Sequence, residues 1–477
     1  MPHIEALPSP LKTIHIMGIC GTAMGALAGM LVDAGYTVTG SDKGVYPPMS
    51  TYLEGLGISP MEGFVASNLD HKPDLVVIGN VVRAIYEEAQ AVVEQDLPYC
   101  SFPELLGHLF LEDAHNIVVA GTHGKTTTTS IAAWLLQSAG KEPGYLIGGI
   151  AKNFARTASP GAGSHFVIEG DEYDTAFFDK GPKFLHYRPV TAILTSVEFD
   201  HADIYTDLDH VKQSFRKLMA ILPDDGCLIV RWDDEGARDV ASDAGCEVWR
   251  YGPGQEWDGR VESTDTNAGT MTFSVLRNGD PVGTYTSSLV GEHNLYNQVA
   301  AAAAAIRAGV SPADLEDGFA TFAGIKRRQE VLGEPGGVTV IDDFAHHPTA
   351  VESTIEALRQ RFGERRLWVA WEPRSATSRR NIFQQAYARS FDGADRVIIA
   401  RPYDTSGIDA DQRFDSDLLV RQLADRGVDA LVLDDTEAIA RTIALAAHPR
   451  DVVAIFSNGA FGGVHGRIIE LLTNRFG

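Results

Sequence analysis

Cysteine is scarce and scattered. Cys20, Cys100, Cys227 and Cys246 form no C-x-x-C pair, so neither a disulfide framework nor a cysteine zinc module is indicated, and a reducing compartment fits best. Long hydrophobic runs are missing too: stretches such as residues 299–306 fall well short of a membrane span, and the N-terminus offers one lysine before a short, glycine-broken apolar stretch. The expectation is a cytoplasmic protein with no membrane partner. Positive charge is the third shortage, with 40 Lys and Arg against 64 Asp and Glu and a formal charge of −24. That balance opposes sequence-independent attraction to nucleic acid or anionic lipid, so anionic small ligands must meet local positive sites. The sequence carries no signal for an oligomeric state.

What is present is enough for several cores: 477 residues, 44% hydrophobic, a length that suggests roughly three domains. The chain is organised around Gly121-Thr122-His123-Gly124-Lys125-Thr126-Thr127. An apolar run over 116–120 predicts a buried strand, and helical periodicity follows over 126–139. Glycines that admit backbone N–H groups to an anion, a helix start, a mobile lysine charge and a Thr126 hydroxyl for Mg2+ together make a phosphate cradle, although the glycine spacing departs from the common pattern.

Upstream, the strand Thr13–Met17 leads into Gly18-Ile19-Cys20-Gly21-Thr22 and a small-residue helix, and a strand over 36–39 ends at Gly40-Ser41-Asp42. This reads as a nucleotide unit, with a glycine loop for a diphosphate and an acidic strand end for a ribose, but its glycines do not fit G-x-G-x-x-G. Strands Leu75–Ile78, ending at Gly79-Asn80, and Tyr99–Ser101 complete a small parallel sheet, with a boundary near Glu112.

Two further strand ends in the central segment carry acid clusters: Glu169-Gly170-Asp171-Glu172 and Glu198-Phe199-Asp200-His201. Ligands sit outside the carboxyl ends of strands in open parallel sheets, so these carboxylates suit Mg2+ held between protein and phosphate, with His201 a candidate second metal ligand. A solvated, helix-capping loop is the plainer reading. Residues 271–276 and 283–287 flank Asn278-Gly279, a hairpin signal, and predict a small antiparallel sheet beside this domain. Then Gly291-Glu292-His293-Asn294 opens an alanine-rich helix; Asn294 and Asn297 share a face and could meet a purine edge, or Asn294 could simply cap the helix.

Residues 322–328 read as a hinge. Beyond it four strands end in Asp342-Asp343-Phe344-Ala345-His346-His347-Pro348, Glu372-Pro373-Arg374-Ser375, Arg401-Pro402-Tyr403-Asp404 and Ser457-Asn458-Gly459-Ala460. The adjacent His346 and His347 do not aim both rings at one metal, so no zinc site is expected from the pair. Arg327 and Arg328 could swing onto a triphosphate or remain solvated hinge charges.

This ordered series resembles the Mur ligase family along essentially the whole chain. The resemblance implies an α/β protein of three domains: a parallel-sheet UDP-binding domain over 1–112, a central P-loop ATPase domain with a flanking antiparallel sheet over 113–324, and a Rossmann-like domain over 325–477 that takes the amino substrate. Gly170 departs from the family, where alanine is more frequent. The implied reaction uses ATP and Mg2+ to join UDP-N-acetylmuramate to an amine through an acyl phosphate. The motifs from Glu198, Glu372 and Ser457 imply the cell-wall tripeptide L-alanyl-γ-D-glutamyl-meso-diaminopimelate as acceptor, with L-alanine the alternative.

By the same resemblance Lys125 holds phosphates within the loop Gly121 to Thr127, Thr126 and Glu169 ligate one Mg2+, and His201 ligates a second. His293, Asn294 and Asn297 bind adenine, Arg327 contacts phosphate, and Asp343 and His346 lie between nucleotide and amine. Gly18, Cys20, Gly21, Thr22, Ser41, Asp42 and Asn80 hold the UDP-sugar. Arg374 and Asn458 hold the peptide, unless Arg374 pairs internally with Glu372. Two other classes fit less of the chain: a nicotinamide oxidoreductase leaves the second phosphate loop idle, and a P-loop switch needs no third sheet.

Overall fold

The computed structural model describes residue 4 and residues 6–476. Three β-sheets carry the chain, and each puts the carboxyl ends of its parallel strands where a sequence motif falls. The first sheet runs, edge to edge, Met61–Glu62, Thr37–Asp42, Thr13–Met17, Leu75–Ile78, Tyr99–Ser101, all parallel. Leu75–Ile78 is buried at every position, as a strand covered on both faces must be. Strand order reverses between Thr13–Met17 and Leu75–Ile78, so the glycine loop after the first and Gly79-Asn80 after the second flank one crevice.

The central sheet has ten strands in the order Asp280–Ser287, Thr270–Arg277, Trp257–Asp265, Glu247–Tyr251, Cys227–Arg231, Pro189–Leu194, His115–Ala120, His165–Gly170, Gly144–Leu146, Ala158–Ser159. The expected hairpin forms, but it is not a separate sheet: Trp257 pairs with Tyr251 in parallel, and the antiparallel strands extend the main sheet from that point. Burial of Trp257 and Phe273 in the same core as Ile117 and Val119 explains the fusion, since a lone three-stranded antiparallel sheet would leave that face wet.

His115–Ala120 lies between Pro189–Leu194 and His165–Gly170, which places the phosphate loop at the point where strand order reverses. The helix after it, Lys125–Ser138, packs on the helix Glu292–Arg307, whose residues Ala300 to Ala305 are essentially fully buried; methyl side chains let the two backbones come close.

The third sheet runs Glu330–Gly333, Thr339–Asp343, Val452–Phe456, Leu367–Trp371, Arg396–Ala400, Asp429–Leu433, parallel except for its first strand. Separate apolar cores cover its two faces, one around Trp371, Tyr387 and Phe391 and one around Trp368 and Ile439. The stretch read as a hinge is stitched to the central domain: Lys326 N–H donates to the Ile150 carbonyl at 2.9 Å and Lys152 N–H to Gly324 at 2.9 Å. Among the described residues no helix is long and apolar enough to cross a membrane.

Candidate active site

Gly121 and Gly124 both have positive φ, 131° and 81°. Neither has room for a side chain: a Cβ on Gly121 would stand 2.2 Å from Thr195 Oγ1, and one on Gly124 2.7 Å from Asn297 Oδ1. The loop is tied from the neighbouring strand end, with Thr122 N–H donating to the Ser196 carbonyl at 2.9 Å and His123 N–H to Ser196 Oγ at 3.0 Å. Its helix begins at Lys125, so unpaired N–H groups of the first turn face the loop's concave side.

Lys125 is held by the Gly121 carbonyl and by Glu172, Nζ to Oε2 3.0 Å. Burial disfavours its charge, but Glu172 and Asp171 overcome that and raise its pKa. Thr126 Oγ1 lies 3.1 Å from Glu169 Oε2, and the other Glu169 oxygen accepts from Gly148 N–H at 2.6 Å. Burial, with Asp171 adding to it, pushes the Glu169 carboxyl up to about 7. A buried carboxylate next to a hydroxyl, with its charge poorly compensated, is the environment a divalent cation relieves. His201, at φ 53°, points Nε2 toward Glu172 Oε1 at 3.5 Å. Glu172 was not singled out from its acid cluster; it touches both the lysine and the histidine. At Gly170 the family's alanine would bring its Cβ within 2.7 Å of Val118 Cγ1, so the glycine matches a bulky neighbour here.

Other expected site residues have partners inside the protein. Asn294 and Asn297 are buried and already paired: Asn294 donates to the Val290 carbonyl at 2.9 Å, while Asn297 Oδ1 accepts from Thr128 at 3.2 Å. These bonds brace the phosphate loop from behind. His293, one residue away, stays half-buried, and burial together with Arg231 and Arg328 pushes its pKa down to about 4. Arg327 turns into the third domain, where Nη2 donates to the Ser457 and Gly459 carbonyls at 2.6 and 2.7 Å and Nε lies 3.3 Å from Asp342. Its neighbour Arg328 is the one that senses Asp343 and Glu169. The backbone at Arg327, φ 61°, separates the two directions.

Asp343 spends its carboxylate on Gln329 N–H at 2.7 Å and Ala345 N–H at 2.8 Å, shaping the loop that carries His346. The third domain grips the central strand end here. His346 Nε2 is 3.6 Å from Asp200, Thr377 Oγ1 donates to Asp200 at 2.6 Å, and Thr349 Oγ1 donates to Glu198 at 2.7 Å. Arg374 pairs with Glu372, Nη1 to Oε1 3.3 Å, so the internal ion pair forms; the guanidinium also lies over the exposed Tyr403 ring at 3.7 Å and leaves no space for a Cβ on Gly459. Asn458 Oδ1 beside it is buried without a hydrogen-bond partner.

In the first domain Gly18 (φ 84°) and Ile19 donate to the Ser41 carbonyl at 2.8 and 3.1 Å. Ser41 itself is fully buried, its hydroxyl donated to Glu88, so its side chain does not face the crevice. Asp42 takes Cys20 N–H at 2.9 Å and Gly44 N–H at 3.0 Å, fixing the loop. Gly21, Thr22 and Asn80 are exposed at the crevice mouth, above the start of the helix Thr22–Asp33.

Comparison with known proteins covers all three sheets. Family models match for the Mur ligase family catalytic domain over 13–113, the Mur ligase middle domain over 119–305 and the Mur ligase glutamate ligase domain over 327–459. The UDP-N-acetylmuramate–L-alanyl-γ-D-glutamyl-meso-2,6-diaminoheptandioate ligase of Escherichia coli (strain K12) is 41% identical over 466 residues, 97% of this chain and 98% of that protein. A murein peptide ligase crystal structure from Psychrobacter arcticus is 36% identical with a TM-score of 0.70, covering 97% and 99% of the two chains. A UDP-N-acetylmuramate-alanine ligase from Thermotoga maritima shares the fold at 22% identity and a TM-score of 0.78, covering 97% and 99%.

Proposed function

The chain belongs to the Mur ligase family, and on that premise we propose that it joins UDP-N-acetylmuramate to the tripeptide L-alanyl-γ-D-glutamyl-meso-diaminopimelate at the expense of ATP, as its 41%-identical relative is named for doing. The observation that carries the chemistry is the pairing of Lys125, Thr126 and Glu169 at a helix start, with a second domain pressed against the adjacent strand end through Thr349 and Thr377. Phosphoryl transfer asks for position and charge more than for covalent participation, and this arrangement offers both.

A lactyl carboxylate oxygen attacks the γ-phosphorus of ATP, the bond to ADP breaks, and an acyl phosphate results. The deprotonated peptide amine then attacks the carbonyl carbon and phosphate leaves, forming the amide. Lys125, released from Glu172, would meet the β and γ phosphates, and Arg327 would join it on leaving the Ser457 and Gly459 carbonyls, with Arg328 beside it. The oxygen donors Thr126 and Glu169 fit Mg2+, and His201 with Glu172 would hold a second ion; the metal would neutralise phosphate charge. His293, neutral at physiological pH, is placed to contact adenine. Asp343 and His346 would shape the space between nucleotide and amine. For the nucleotide sugar the first domain would offer Cys20, Gly21, Thr22 and Asn80 around a helix start. Arg374 and Asn458 would receive peptide carboxylate and amide groups. We divide the chain at 112 and 324, which separates the three sheets, and assign it to the cytoplasm, where its nucleotide substrates occur.

The test compares acceptors: phosphate release with UDP-N-acetylmuramate, ATP and Mg2+ should require the tripeptide, with free L-alanine a poor substitute. Hydroxylamine should trap a hydroxamate on the muramyl carboxylate. Efficient use of L-alanine would reassign the chain to the alanine-adding branch, and release of AMP would refute the acyl-phosphate route.

A further inference from the structure

His123, Glu198 and His347 come from three different places in the sequence and converge on one point. His123 belongs to the phosphate loop, Glu198 follows the strand Pro189–Leu194, and His347 stands at the N-cap of the third-domain helix Pro348–Phe362. Glu198 Oε2 lies 3.7 Å from His123 Nε2 and 3.6 Å from His347 Nδ1, and all three atoms fall within 4.8 Å of one another.

The nitrogens are in the right state for a cation. His347 Nε2 lies 3.3 Å from the Phe199 carbonyl, an acceptor only, so that nitrogen carries the proton and Nδ1 is the lone-pair nitrogen; it stands 3.6 Å from Glu198 Oε2 and also takes Thr349 N–H at 3.4 Å, a long cap bond that a cation would displace. A ligating histidine commonly donates its other ring nitrogen to a carbonyl in this way, which fixes both tautomer and ring orientation. His123 Nε2 is buried and has no hydrogen-bond partner. Leaving such an atom unpaired costs about 1–3 kcal/mol, and the two rings, 4.6 Å apart, cannot satisfy each other through lone pairs. The adjacent His346 is directed elsewhere, toward Asp200. The histidine pair thus does not share a metal, but its second member has a partner across the domain boundary.

We propose that His123, Glu198 and His347 form a site for a borderline-soft divalent cation of the Zn2+ class, which ties the third domain to the phosphate loop. Two imidazoles and one carboxylate are a known zinc donor set. Metal–ligand distances near 2.0–2.2 Å imply ligand separations of about 3.3–3.6 Å in a tetrahedron, so the two spacings to Glu198, 3.6 and 3.7 Å, need only slight side-chain contraction, leaving the fourth position for water. The oxygen-rich pair Thr126 and Glu169 suits Mg2+ instead, so the two ions would sort by ligand softness. The inference does not depend on which acceptor the enzyme uses.

Co2+ serves as the probe, added to the full-length protein in excess Mg2+ so that the oxygen sites are filled. One equivalent should give the strong visible d–d absorption of a four-coordinate ion, and Zn2+ should abolish it. Glu198→Gln and His347→Asn, checked for folding by circular dichroism, should each weaken Co2+ binding at least tenfold, while His201→Ala leaves the spectrum unchanged. The Glu198 variant covers the chance that removing the His347 helix cap disturbs the fold. Absence of four-coordinate absorption, Co2+ affinity in the Glu198 and His347 variants equal to that of the parent, or loss of the signal in the His201 variant would overturn the proposal.

Discussion

Lys125 and Glu172 form a buried ion pair across the phosphate loop, so the lysine is held in place before nucleotide arrives. Lys125→Ala should remove a charge-assisted phosphate contact of about 1.5–3 kcal/mol, and more if it strengthens in the transition state, so turnover should fall at least tenfold; the thermal midpoint should fall too, because the buried Glu172 loses its lysine, and Glu172→Gln in the same background should restore it. His293 gives a pH signature. Its folded pKa, near 4, lies below the unfolded value of about 6.5, so the unfolded chain binds more protons between those values and stability falls as pH drops through that window, by up to about 3 kcal/mol. Urea titrations at pH 7 and 4.5 should show a smaller pH loss in His293→Gln than in the parent. Arg374→Ala should raise the tripeptide KM with little change for ATP, whereas equal loss for every substrate would mean the pair with Glu372 is purely structural. Residue choice was legible where chemistry is unusual, as at Lys125. It was least legible where two like residues adjoin: Arg327 and Arg328 differ in a backbone turn that no composition reveals. For Asn294 and Asn297 the sequence left two roles open, because a polar helix face toward a buried loop reads the same as one toward a ligand; the structure adds their bonds to Val290 and Thr128.

At the scale of elements, strand positions were readable because continuous apolar runs ended in glycine or acid. Leu75–Ile78, Leu367–Trp371 and Val452–Phe456 stand where expected, and the helix after the phosphate loop starts within one residue of its periodic signal. The union of hairpin and parallel sheet was not readable, since it depends on one pairing, Tyr251 with Trp257, and no local pattern encodes which edge a hairpin will join. The loop itself tolerates little change. Gly121→Ala would force a Cβ toward Thr195 Oγ1 at a φ of 131°, so we expect a loss of about 1–3 kcal/mol in stability together with loss of ATP binding, measurable by calorimetry. A variant that binds ATP normally would show that the loop is looser than its packing implies.

At the scale of the whole molecule, the domain grip at Asp200 combines hydrogen bonds from Thr377 and Thr349 with the ring contact of Phe199 and Phe383. Thr377→Val removes a hydrogen bond to an ionised carboxylate, worth about 1.5–3 kcal/mol, and should raise the ATP KM several-fold and enlarge the radius of gyration in scattering, with no change in the secondary structure of either domain. An unchanged KM would place the catalytic closure elsewhere. The order of strands in the third sheet has a different consequence, for the chain while it is being made. Val452–Phe456 lies between Thr339–Asp343 and Leu367–Trp371, although it is synthesised after both. Until residue 456 has left the ribosome, those two strands emerge with facing edges open, unable to pair with each other at their final distance. The first sheet can assemble as its strands appear, and in the central sheet His165–Gly170 enters between the earlier His115–Ala120 and Gly144–Leu146 after only a short delay; the third sheet waits longest, and during that wait the nascent chain exposes the edges most prone to join another chain.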